Sequence, residues 1–278
     1  MSQTSIALTD EGVPAPSSRR SVGRGRLLMA AGLVLPVALA VFWEWAAASG
    51  LFQMRLMPPP SRVWDTMAAL AARGELTHHV LATLYRVFAG FAIGALAGTL
   101  IGAFAGSSEA VRRLIDPSLQ ALRAVPSIAW VPLFILWLGI FETSKIALIA
   151  VGVFFPVYLG VGGSIANIDR KLIEVGQVFR LSRLALARRV MLPAVLPDWI
   201  ISLRSGLGLG FMFVVAAEFM GASEGLGYLL IDGQQMGKPD QIIGAIVAFA
   251  LLGKACDTLL LIVTRPLLAW QDTARGTL

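Results

Sequence analysis

Six apolar stretches divide this chain, at residues 27–48, 83–106, 124–141, 145–166, 194–222 and 241–263, and no water-soluble globule can hide them all. Each is close to the ~20 helical residues that cross a ~30 Å hydrocarbon core. Composition agrees: 56% of the 278 residues are hydrophobic and 14% are charged, against about 25% in an ordinary soluble domain. The mean hydropathy is +0.74. Soluble enzymes and disordered scaffolds are thereby excluded. The expected fold is all-α, a polytopic membrane protein with six transmembrane helices. The first stretch ends in Ala46-Ala47-Ala48, superficially a signal-peptidase site. Its length and Glu44 argue for a retained span instead.

The net charge of +6 would raise the question of nucleic acid in a soluble chain. Here the basic residues lie between apolar runs, where they report topology. With residues 1–26 inside, the inner segments carry fifteen Lys and Arg residues and the outer ones five. Both termini are then cytoplasmic, in a multi-pass membrane protein with lipid around it and no nucleic-acid partner. Residues 1–26, rich in Ser, Pro and Arg, read as a disordered tail, 27–270 as the membrane domain and 271–278 as a second short tail. Cys256, the single cysteine, rules out an intrachain disulfide and a thiolate metal cage. Adjacent His78 and His79 point about 100° apart on a helix, so they read as surface residues and not as an i, i+4 metal pair. Gly253-Lys254 lacks the rest of a phosphate-binding loop, with Ala248 at the first glycine position and Ala255 after the lysine. No catalytic constellation emerges, so no enzyme, resident cofactor or metal is expected.

Inside the membrane segments two patterns stand out. Gly90, Gly94, Gly98, Gly102 and Gly106 recur every fourth residue, leaving one side of the second span bare for close helix packing. The blander reading is a span that is simply glycine-rich. The intramembrane charges are Arg204, Glu218, Lys254 and Asp257, and such groups pair or line a pathway. A structural Arg204–Asp257–Lys254 network is the favoured expectation, with anion coordination in a pore as the alternative. Trp130, Trp137 and Tyr158 stand equally for pathway, lipid or interface. Pro126 and Pro132 are expected to break the third helix, and the segment from Gly221 to Gly227 reads as a turn-rich outer loop.

The longest inner loop, 167–193, reads NIDRKLIEVGQVFRLSRLALARRVMLP. Leu172, Ile173, Val175, Val178 and Phe179 recur at helical spacing after Asp169, a good N-cap, and a second run follows Ser182. Pro193 and Pro197 are expected to punctuate the start of span five. Two short amphipathic helices with an elbow at 180–182 result. Composition alone favours a loop pinned to anionic headgroups.

The loop also resembles the EAA loop of permease subunits from binding-protein-dependent ABC importers, whose pattern is Glu-Ala-Ala, three residues, Gly, nine residues, Ile, one residue, Leu-Pro. Glu174, Leu192 and Pro193 match at that spacing; Val175 and Gly176 replace the alanines, Val190 the isoleucine, and Arg180 stands at the glycine. Glycine there would permit a φ > 0 elbow that arginine adopts only at a cost. The resemblance runs from about Met57 to Gln271 through LMPPPSRVW (56–64), RAVPSIAWVPLFILWLGIFETSKI (123–146), LRSGLGLGFMFVVAAE (203–218), GLGYLL (225–230) and ALLGKACD (250–257). It is greatest to the permeases for aliphatic sulfonates, taurine and nitrate. The resemblance implies alternating access by a permease paired with a second copy. It also implies two cytoplasmic ATP-binding subunits holding ATP and Mg, and a periplasmic or lipid-anchored solute-binding protein. The coupling residues it implies are Glu174, Gly176, Arg180, Leu192 and Pro193. A competing reading from another class is an ion-coupled secondary transporter using the intramembrane charges; such a carrier has no need of the loop.

Overall fold

The computed structural model describes residues 21–51, 56–219 and 221–270, and among them every regular element is helical. The chain forms two units, Met1–Pro60 and Ser61–Leu278. The first holds α1 (Ser21–Ala48). This helix begins six residues ahead of the apolar stretch, so the N-terminal tail does not extend to residue 26. Arginine is a good helix former, and it lets an apolar helix propagate back through its flank. The remainder of the N-terminal tail, and the tail at 271–278, lie outside the described residues.

The second unit contains α2 (Pro60–Ala72), α3 (Glu75–Ser107), α4 (Glu109–Arg123), α5 (Ser127–Leu138), α6 (Glu142–Ala166), α7 (Arg170–Val178), α8 (Arg183–Leu186), α9 (Leu192–Phe219), α10 (Leu226–Gln235) and α11 (Pro239–Thr264). Among the described residues four continuous helical stretches are long and apolar enough to cross a membrane: Glu75–Ser107, Glu142–Ala166, Leu184–Phe219 and Pro239–Leu268. The third expected span, 124–141, is not one helix. α4 and α5 meet at a bend of 101°, because Pro126 has no N–H to continue α4 and disfavours helical geometry at Val125. With 12 residues, α5 is about 18 Å long, short of the ~30 Å core.

The prolines before span five also behave differently from expectation. Pro193 and Pro197 lie inside helix, not at a break, and a π turn at Ala187–Met191 joins α8 to α9. The Leu192 N–H reaches back five residues to the Ala187 carbonyl. Widening the ladder by one residue absorbs the donor that Pro193 lacks without stopping the helix. The second helix of the loop is therefore the foot of α9, not a separate surface helix.

α6 is the centre of this unit, with α3 along one side and α9 along another. A Cβ added to Gly98 would sit 2.8 Å from the Phe154 carbonyl oxygen and 2.9 Å from Val157 Cβ; at Gly102 the Tyr158 carbonyl is 2.7 Å away, and at Gly106 the Gly162 carbonyl is 2.8 Å away. Gly90 meets Ile149 and Gly94 meets Ala150 in the same way. Each four-residue step on α3 is thus matched by a similar step on α6, so the two helices run parallel at backbone contact. On the other side Gly206 and Gly210 of α9 receive Val153 and Val157. Val87, Ile149, Val153, Val157, Leu203, Leu207 and Val214 fill the core between the three helices.

Candidate functional site

The loop between α6 and α9 is built by local capping. The Asp169 carboxylate accepts from the Lys171 N–H at 2.9 Å and starts α7. α7 ends where Arg180 N donates to Gln177 O at 2.8 Å and Leu181 N donates to Gly176 O at 3.1 Å. This pair of bonds is a Schellman motif, which requires a left-handed residue at the position after the cap. Arg180 occupies it with φ 51°, the single non-glycine residue with positive φ among those described. The elbow that a glycine would make easily is therefore kept by arginine, under strain. Ser182 then caps α8 through its hydroxyl, which accepts from the Ala185 N–H at 3.3 Å.

Gly176 is buried where α7 crosses α8, and a Cβ there would strike Leu186. Glu174 is exposed on the far side of the same helix, and Val178 and Phe179 beside it are 79% and 74% exposed. Leu192 is also exposed, while Pro193 rides within helix. α7 thus presents a carboxylate among uncovered apolar side chains, which suits a protein groove better than water. Arg180→Gly should relieve the elbow by up to about 1 kcal/mol, and β-branched Arg180→Val should do the opposite. Amide exchange at Leu181, slower in the first variant and faster in the second, checks this.

The intramembrane charges fall into two groups. Arg204 meets Asp257 two-pronged, Nε to Oδ1 at 2.7 Å and NH2 to Oδ2 at 3.0 Å, and Lys254 Nζ stands 3.8 Å from Oδ2. Glu218 is elsewhere, at the opposite end of the unit from the loop. Its carboxylate, 0% exposed, accepts from Arg86 at 3.0 Å, from the Thr83 hydroxyl at 2.8 Å and from the Gly227 N–H at 2.7 Å.

Arg86 is the organiser of that end, and the sequence reading passed over it. Only 1% exposed, it also grips both oxygens of Glu142, at 2.6 and 2.9 Å, and the Glu224 carbonyl at 2.7 Å. One guanidinium thereby ties α3, the start of α6, the end of α9 and the loop before α10. Its signal was present in the sequence as an arginine within the second apolar stretch. The two histidines likewise hold the loop: His78 Nε2 lies 2.6 Å from Glu224, and His79 Nδ1 accepts from the Gly225 N–H at 3.1 Å. His78 is exposed, as expected of a surface residue, whereas His79 is half-buried and holds the loop backbone. The turn-rich segment itself uses Gly221 and Gly225 at positive φ. Tyr158 is buried with its hydroxyl bonded to Asp116, Trp130 packs against the cluster of Val131, Leu148 and Ala217, and Trp137 is exposed.

A family of binding-protein-dependent transport system inner membrane components matches residues 98–267, a stretch that contains the whole capped loop. The chain belongs to that family. It is the permease subunit of an ABC importer, a multi-pass component of the inner membrane that works with ATP-binding and solute-binding partners. Among its relatives, a Bacillus subtilis (strain 168) protein named as an aliphatic sulfonates transport permease, SsuC, is 38% identical over 262 residues, 94% of this chain and 95% of that one. The Escherichia coli (strain K12) SsuC is 38% identical over 245 residues, 88% of this chain and 93% of its own. The taurine transport system permease protein TauC of the same organism is 31% identical over 242 residues, covering 85% and 88%.

Proposed function

We propose that this permease moves small anionic solutes, aliphatic sulfonates first, through a path shared with a second copy of itself. The observation that carries the substrate is that the two relatives named for aliphatic sulfonates are each 38% identical, ahead of the taurine permease at 31%. Taurine and nitrate are the alternatives within the same class. Both termini lie in the cytoplasm on this reading, on the same side as the 167–193 loop, in keeping with the excess of Lys and Arg in those segments. There it meets two ATP-binding subunits, which hold ATP and Mg; this chain contributes no ATPase chemistry. A periplasmic or lipid-anchored binding protein delivers the solute to the other face. Closure of the ATPases pushes on α7, with Glu174 as the charged contact and its apolar neighbours seated beside it. Gly176 and Arg180 set the angle of α7, so that the push is carried into α9.

The test is uptake of labelled alkanesulfonate, taurine and nitrate into proteoliposomes holding the permease, its ATPase and its binding protein. Uptake that requires ATP and binding protein, greatest for alkanesulfonate, is the expected result; uptake driven by an ion gradient alone would favour a secondary carrier. Glu174→Ala should lower uptake roughly tenfold through loss of a charged contact and weaken co-purification of the ATPase. Unchanged uptake would remove Glu174 from the coupling surface.

A further inference from the structure

The Arg204–Asp257–Lys254 group has an unequal distribution of partners. Each oxygen of Asp257 already accepts from Arg204, whereas Lys254 is too far from that carboxylate to hydrogen-bond, at 3.8 Å, and its side chain is 74% exposed. Lys254 thus stays ion-paired with Asp257, but among the described residues its three N–H donors meet no hydrogen-bond acceptor, on a trio whose net charge is +1. Arg204 lies 12 residues from the start of α9 and Lys254 10 residues from the end of α11, about 18 and about 15 Å in from that end, near the middle of a ~30 Å core. An ammonium at that depth cannot face hydrocarbon, and its one carboxylate neighbour is shared with Arg204, so it calls for water or a further anion. Lipid headgroups are out of reach there. The adjoining strip of α9, Ile201, Ser205, Gly208 and Met212, is uncovered, and a Cβ on Gly208 would meet nothing within 4 Å. No side chain of the described residues covers this strip beside the cluster.

We propose that Lys254 is the intramembrane contact for the oxyanion headgroup of the transported solute, with the Arg204–Asp257 pair as its fixed support. This rests on the reading of the chain as an oxyanion importer. A sulfonate offers three acceptor oxygens to the three donors of the ammonium. Asp257, spending its charge on Arg204, leaves the site at +1, enough to hold an anion and too little to trap it.

The test uses the reconstituted importer with its ATPase and binding protein. Lys254→Met should cut alkanesulfonate uptake roughly tenfold or more, Lys254→Arg should retain most of it, and ATPase stimulation by loaded binding protein should persist in both. Undiminished uptake by Lys254→Met, or failure of that variant to assemble, assigns Lys254 to another role and overturns the proposal. As a second measurement, Lys254→Cys in the assembled complex should react with a water-soluble sulfonated thiol reagent, and excess alkanesulfonate should slow the reaction. No reaction would place the side chain against lipid or protein and also overturn it. Wild-type uptake restricted to neutral or cationic solutes would instead sink the oxyanion reading itself, an outcome distinct from failure of the site alone.

Discussion

Gly98→Leu is expected to leave no folded permease in detergent extracts. A Cβ at this position already lies 2.8 Å from the Phe154 carbonyl oxygen and 2.9 Å from Val157 Cβ. Neither is the free end of a flexible chain, so the helices themselves must part. Overpacking of this kind costs about 1–3 kcal/mol per modest insertion, and a leucine in a backbone-contact seam belongs at or above the top of that range. Parting α3 from α6 at one point also lifts Gly94 and Gly102 off their carbonyls, because the seam is continuous over four turns. Lipid tails offer no hydrophobic penalty that would press the helices back together. Gly98→Ala should show the same effect in smaller measure, as a lowered midpoint of thermal aggregation. Gly163→Ala on α6, where a Cβ meets nothing within 4 Å, should be neutral or slightly stabilising, since alanine is the better helix former. Equal midpoints for the two alanine variants would refute the seam.

Arg86→Leu is expected to be nearly as damaging. It strands Glu218, 0% exposed, with only the Thr83 hydroxyl and the Gly227 N–H. Breaking a buried pair from one side costs about 3–5 kcal/mol, a large share of a net stability of about 5–15 kcal/mol. The Glu224 carbonyl loses its donor as well, which loosens the loop ahead of α10. Arg86→Lys should restore little, because one ammonium cannot reproduce the fork that meets Glu142, Glu218 and Glu224 at once. The informative variant is Arg86→Leu with Glu218→Gln. Removing the orphaned charge should recover a substantial part of the aggregation midpoint, and failure to recover any of it would show that Arg86 acts through Glu142 or the loop instead.

Local signals were legible where the physics is local. Asp169 and Ser182 cap the helices they precede, since a cap needs only a side-chain oxygen and the next turn of backbone. The glycine at every fourth position of α3 announced a bare face, but which helix would fill it was not written in that periodicity. Arg180 shows the boundary between the two kinds of information. Its place in the family pattern pointed to an elbow, and arginine at a glycine position left the φ open. The bonds of Leu181 and Arg180 back to α7, together with the packing of Leu186 against Gly176, hold the strained conformation.

The misreadings share one cause. Proline was taken as a stop at 193 and 197, yet a π turn carries the helix through, because a ladder can widen when the surrounding helices hold it. Proline at 126 did end a helix, since no such alternative relieves the bend there. Arg86 was overlooked, and the bond of His79 to the loop went unseen, because their partners are more than 50 residues away in sequence. By itself, then, the sequence determined an all-α membrane chain, the basic loop and its caps, because hydropathy, charge placement and capping act over a few residues. The pairing of α3 with α6, the Arg86 hub and the open ammonium of Lys254 beside a satisfied Arg204–Asp257 pair were decided only by tertiary structure, because helix contacts and ion-pair geometry depend on which distant residues the packing brings within a few ångströms.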